Sequence, residues 1–154
     1  MAHTNGRVLE NTEEYIHFMV RCAAEIVHCG QPWLVHQNGI CMLCNDRELE
    51  THMHLFFKCR FSRACIAYCR RQVKLLWPHS DWTTCILWAS RQWLGKHPVN
   101  VAYRQILASL VYHIWQERNN RRFGSIIRDP NTVAHQATNQ IKARILSHPR
   151  QNIA

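Results

Sequence analysis

The chain has 154 residues, 47% hydrophobic and 19% charged, with only five Gly and five Pro, so collagen-like, linker and disordered classes are excluded and one ordinary domain is expected. The net charge of +9 is unevenly placed: residues 1–50 hold three Arg against seven Asp and Glu (−4), and residues 51–154 hold sixteen Lys and Arg against three (+13). An excess of that size in the larger part points to an anionic partner, most simply nucleic acid.

The first residues, Met1 to Arg7, lack the apolar core of a signal peptide, and no run of eighteen apolar residues exists to span a membrane. The expected location is therefore intracellular and reducing, where eight cysteines favour metal binding over disulfides. Asn11 and Glu14 form a capping-box start, and Tyr15, Met19, Cys22, Ile26 and Cys29 recur at helical spacing. Gly30 and Pro32 stop this first helix. The helical period is then lost over 36–60, where Asn38-Gly39 signals a tight turn ahead of a dense Cys/His group.

Ser62 is the expected cap of a second helix with a stripe of Cys65, Cys69, Val73 and Leu76, ended by Pro78. Asp81 caps a third, Trp-rich helix containing Leu87, Trp88 and Leu94. Beyond Gly95 and Pro98 the longest helix is expected over about 99–122, with an apolar band of Tyr103, Ile106, Leu107, Leu110, Val111, Ile114 and Trp115. Arg118, Arg121 and Arg122 sit where cations oppose the helix dipole, and Gly124 follows as a C-terminal stop. Asp129-Pro130 opens the last helix, with Val133, Ala137, Ile141 and Ile145 on one face and Pro149 after it. The expected fold is mainly α, about five helices with a small irregular knuckle after the first. It divides into an acidic helical segment (1–35), the knuckle (36–62), a basic helical region packed with it (63–147) and a tail (148–154), together one compact unit.

The knuckle carries the chemistry. Cys41, Cys44, His54 and Cys59 read C-x2-C-x9-H-x4-C. A C-x2-C turn aims two thiolates at one ion, and a second close pair completes the four tetrahedral positions that zinc requires. Three thiolates and one imidazole leave no open coordination position, so one structural Zn2+ is expected rather than a catalytic one. From spacing alone His52 competes with His54 as the fourth ligand. Cys22, Cys29, Cys65, Cys69 and Cys85 fall on helix faces and are expected in the core.

Cys41 to Cys44, Glu50-Thr51, His54-Leu55-Phe56-Phe57, Cys59 and Phe61-Ser62, in this order, resemble the zinc-binding domain in the C-terminal region of plant LINE-type (non-LTR) retrotransposon reverse transcriptases. The resemblance continues through Trp88-Ala89-Ser90, Gly95-Lys96 and the block from Ile114 to Phe123, and covers about residues 34–146. It implies Cys41, Cys44, His54 and Cys59 as the ligands. Residues 1–33 depart from the family's Trp-rich, basic lead-in. The chain's three Asp (Asp46, Asp81 and Asp129) form no pair and no Tyr-x-Asp-Asp run, so the clustered carboxylates of a two-metal polymerase site are missing and no enzymatic activity is expected.

The expected function is thus that of a non-catalytic zinc module that binds nucleic acid, with RNA or an RNA–DNA hybrid implied by the resemblance. The candidate contacts are Lys58, Arg60, Arg63, Arg70, Arg71 and Lys74 near the knuckle, with Arg118, Arg121 and Arg122 as a second group. For that second group the structural alternative is dipole complementation and an i,i+4 pair between Glu117 and Arg121. Phe56, Phe57 and Phe61 are expected to pack the knuckle onto the helices rather than stack on bases. The alternative reading is a retroelement remnant that acts as a zinc-stabilised protein-interaction module or carries no selected function.

Overall fold

The structure is a computed structural model that describes residues 39–51, 53–73, 84, 87, 88, 91, 97–124 and 126–147. Of these, 76% are helical and none lies in a strand, so the chain is mainly α. In chain order the elements are a single π-helical turn His54–Lys58, then α1 Arg60–Val73, α2 Pro98–Phe123 and α3 Pro130–Ser147. The expected first helix, the end of the expected second helix, the tail and most of the expected Trp-rich helix lie outside the described residues; of the Trp-rich helix, residues 84, 87, 88 and 91 are described and are helical. No described helix is long and apolar enough to cross a membrane.

Each helix start has a local cause. Asp129 Oδ1 accepts the N–H groups of Asn131 and Thr132 at 2.9 and 3.1 Å, and Pro130 occupies the first helical position, so α3 begins where the sequence signals it. The start of α2 is less legible. His97 caps it by accepting the Val99 N–H on Nδ1 at 3.4 Å, ahead of Pro98. At the other end Gly124 is extended (φ −121°, ψ −178°), not left-handed. A Cβ there would come within 3.0 Å of the Asn120 carbonyl oxygen, so close approach is what favours glycine.

The expected cap Ser62 is corrected by the structure. Helix α1 begins at Arg60, directly after Cys59, whose carbonyl accepts the Arg63 N–H at 2.9 Å. Ser62 is fully buried inside the helix and donates its hydroxyl to the Leu55 carbonyl, tying α1 back to the π turn.

The core follows the stripes. Phe61, Cys65, Ile66 and Cys69 of α1 meet Ile106, Leu107, Leu110, Val111 and Ile114 of α2 and Val133, Ala134, Ala137 and Ile141 of α3 in one cluster, with Leu43, Leu55 and Phe56 from the knuckle. Burial of each large aliphatic side chain contributes roughly 1.5–3 kcal/mol. Helix α3 packs extensively on both α1 and α2, while those two touch sparingly. Between Val133 and Ile141, fully buried Ala134 and Ala137 are small and let both neighbours close on it. Ser109 donates to the Ala137 carbonyl at 3.3 Å and to Gln140 Oε1 at 3.2 Å, and the Cys65 thiol donates to the Pro130 carbonyl at 3.3 Å.

Candidate metal centre

The first pair of ligands sits in a minimal hairpin. Gly39 has φ +60°, the left-handed turn conformation expected of the Asn-Gly signal, although Asn38 itself lies outside the described residues. The Cys41 N–H donates to the Glu48 carbonyl at 2.9 Å and the Glu50 N–H to the Gly39 carbonyl at 2.6 Å, flanking a bridge between Ile40 and Leu49. Inside this hairpin the chain bends after Cys41, so that the Leu43 N–H reaches back to Cys41 Sγ at 3.4 Å and Cys44 faces the same way.

The second pair comes from the π turn. The Cys59 N–H donates to the His54 carbonyl at 2.6 Å, closing a loop that returns Cys59 to the side of His54. An ordinary α turn would not suit the x4 spacing, because residues five apart lie well round the circumference. Thr51 Oγ1 accepts the His54 N–H at 3.0 Å and fixes the turn's start. The residues between the two ligands point the other way: Leu55 and Phe56 are buried in the helical core.

These two local structures bring Cys41, Cys44, His54 and Cys59 together, with all four ligand atoms within 4.8 Å of one another. The sulfurs of Cys41 and Cys59 are 3.8 Å apart, and Cys44 Sγ lies 3.4 Å from His54 Nε2. Metal–ligand bonds of about 2.3 Å to sulfur and 2.0–2.1 Å to nitrogen give tetrahedral edges of roughly 3.8 and 3.6 Å. The spacing and the donor set therefore fit one four-coordinate metal ion. His52 lies outside the described residues.

The thiols are electrostatically unequal. The hydrogen bond with Cys41 lowers the Cys59 thiol against the opposing effect of burial, and the N–H groups of Ser62 and Phe61 at the start of α1 lower it further. The same hydrogen bond, and then burial, push Cys41 far up, while burial raises Cys44. Cys59 is thus the readiest thiolate of the three. In contrast, Cys65 and Cys69 are core residues with no exposure, and burial pushes the Cys69 thiol up to about 12.

A network of buried charges lies behind the centre. Glu117 of α2 is fully buried and accepts Arg121 Nε at 2.9 Å, the Arg128 N–H at 2.9 Å and Arg128 Nε at 2.8 Å. Burial alone would raise this carboxyl, but its three donors outweigh that and hold it below the ordinary range. Arg121 also donates to the carbonyls of Leu43 at 3.2 Å and Arg128 at 3.0 Å, and its guanidinium lies 4.7 Å over the Phe61 ring. Arg118 places Nε and Nη2 on Glu50 Oε1 at 2.9 and 2.6 Å, with both side chains almost wholly buried.

The two groups of candidate phosphate contacts therefore have different surroundings. Lys58, Arg60, Arg63 and Arg71 are exposed on the π turn and α1; Arg60 pairs with Asp46 at 2.9 Å, and Arg70 is half-buried. Lys74 lies outside the described residues. In the second group Arg118 and Arg121 face inward onto Glu50, Glu117 and Leu43, and Arg122 lies 5.0 Å over the Phe123 ring. The i,i+4 pair of Glu117 and Arg121 is present. Phe56 and Phe61 are buried and Phe57 packs against the core. Sequence reasoning missed the partners Glu50, Leu43 and Arg128. A signal was present: residues 117, 118 and 121 continue the buried face of 110 and 114 at helical spacing, so charges there are expected to need internal partners.

No protein-family profile, curated protein or solved structure matches the chain.

Proposed function

We propose that the chain is a non-catalytic zinc module, of the kind carried by LINE-type reverse transcriptases, that binds RNA or an RNA–DNA hybrid through the exposed face of the π turn and α1. The observation that carries the zinc reading is the convergence of three sulfurs and one imidazole nitrogen within 4.8 Å of one another, with the Cys41–Cys59 and Cys44–His54 distances close to tetrahedral edges. Zinc is the ion that suits a Cys3His donor set and its geometry. With all four positions filled by protein, the ion acts as a cross-link that holds the knuckle against the helices.

The nucleic-acid reading is supported by Lys58, Arg60, Arg63 and Arg71, all exposed on the π turn and α1, with Arg60 paired to Asp46. Arg63 and Arg71 lie about 12 Å apart along α1, so several phosphates of one strand can be tracked. Affinity for labelled RNA, DNA and hybrid duplex at several salt concentrations tests this. Arg63→Ala and Arg71→Ala should each weaken binding and lower the log–log salt slope by about one. Binding that is absent at low salt would remove nucleic acid as the ligand. The exposed Phe123, Ile126 and Ile127 would then direct the search to a protein partner.

A further inference from the structure

Resting on the metal reading above, we infer that Arg118 and Arg121 are positioning residues of the metal centre, holding its ligand-bearing segments against α2 and α3, rather than phosphate contacts. The turn between the first two ligands is held through Leu43. The Leu43 N–H donates to Cys41 Sγ at 3.4 Å, and the Leu43 carbonyl accepts Arg121 Nη1 at 3.2 Å. One residue therefore links the arginine to a ligand sulfur through both of its backbone polar groups. The guanidinium also lies 4.7 Å over Phe61, two residues past the ligand Cys59, so one side chain spans both halves of the centre.

Arg121 is itself held from behind. Fully buried Glu117 accepts its Nε at 2.9 Å and the Arg128 carbonyl accepts its Nη2 at 3.0 Å, which leaves the remaining Nη1 aimed at Leu43. Arg118 does the corresponding work one turn earlier. Its pair of donors on Glu50 anchors the returning arm of the hairpin, where the Glu50 N–H closes onto Gly39. A planar fork with several fixed donors makes such multiple contacts and an ammonium does not, so arginine is required at both positions. The ligands alone do not set the geometry. Groups that orient them do so as well, and their loss typically weakens metal affinity 10–100-fold.

The test is metal affinity, measured by competition with a chromophoric chelator on the full chain and its variants, with far-ultraviolet circular dichroism confirming the fold of each. Arg121→Met is expected to weaken zinc binding about 10–100-fold. It should also alter the d–d bands of the cobalt-substituted protein, which report the shape of the tetrahedron. Arg121→Lys keeps a cation beside Glu117 but gives up the fork, so it is expected to fall between the two and serves if Arg121→Met does not fold. Ile106→Ala is the control: it hollows the same helix roughly 22 Å from Arg121 and lowers stability without removing any of the Arg121 contacts. A normal cobalt spectrum and wild-type zinc affinity in Arg121→Met, or losses equal to those in Ile106→Ala, would overturn the inference alone. Failure of the unsubstituted protein to take up metal would overturn the metal reading and this inference with it.

Discussion

Glu117 shows what a single residue does here. A carboxylate with no solvent exposure is costly unless its donors are in place, and three donors are supplied by Arg121 and Arg128. Glu117→Gln leaves two guanidinium groups without their counter-charge. The expected loss is about 3 kcal/mol of unfolding free energy at neutral pH, measured by urea titration, near the lower end for a buried pair because both arginines keep some solvent access. The sign of the pH dependence follows from its lowered pKa. Its contribution is fully present above the ordinary carboxyl value of about 4.3 and is lost as pH falls through the lower folded value. The urea midpoint of E117Q should therefore fall less steeply with acid than that of the parent. An equally steep fall would mean that Glu117 is not the group being titrated.

The ligands behave differently from Glu117, because they converge on one point. Cys41→Ser and Cys44→Ser each remove a thiolate from a shell of four, and each is expected to abolish stoichiometric zinc uptake at micromolar protein. Ile40, exposed on the same hairpin, is the comparison: Ile40→Ser should leave uptake unchanged.

At the scale of elements, α3 is the helix on which the other two close. Ala137 is fully buried on it. Ala137→Leu inserts three carbons where no space exists and is expected to cost about 1–3 kcal/mol, read as a lowered urea midpoint with the metal still bound. The elements also show what was legible in the sequence. Regular periodicity located α1, α2 and α3, because apolar residues at helical spacing must be buried on one face. Asp129-Pro130 placed the start of α3 because cap and proline act within four residues of each other. The start of α1 was misplaced at Ser62, since a hydroxyl that caps and one that bonds back to a neighbouring turn are the same in sequence. The π turn had no signal of its own; only the x4 spacing of His54 and Cys59, which an α turn does not serve, hinted at it.

For the site, ligand spacing was legible because metal geometry restricts it strongly. The support for the ligands was not, since Arg118 and Arg121 find Glu50 and Leu43 across 68 and 78 residues of chain. A basic cluster at a helix C-terminus looks the same in sequence whether it faces solvent or an internal carboxylate. Here the continuation of the buried stripe through 117, 118 and 121 separates the two.

At the scale of the molecule, the knuckle and the helices share one hydrophobic cluster among the described residues. Leu43 from the first ligand turn and Leu55 and Phe56 from the second are members of it, alongside Leu110, Val111 and Ile114 of α2. Chelation should for this reason loosen more than the knuckle. Thermal melts with excess chelator are expected to show a lowered midpoint and a broader transition, with the helical signal only partly lost at low temperature, because α2 and α3 keep their mutual contacts. An identical melt with and without chelator would show that the ion contributes nothing to this core.

Native mass spectrometry of the chain purified with zinc present reads the occupancy of the metal centre itself. The expected result is one species heavier by a single zinc ion less the protons displaced from the thiols, collapsing to the bare mass in Cys41→Ser. A bare mass for the unsubstituted chain, or a zinc adduct that survives Cys41→Ser, would contradict a metal centre built from Cys41, Cys44, His54 and Cys59.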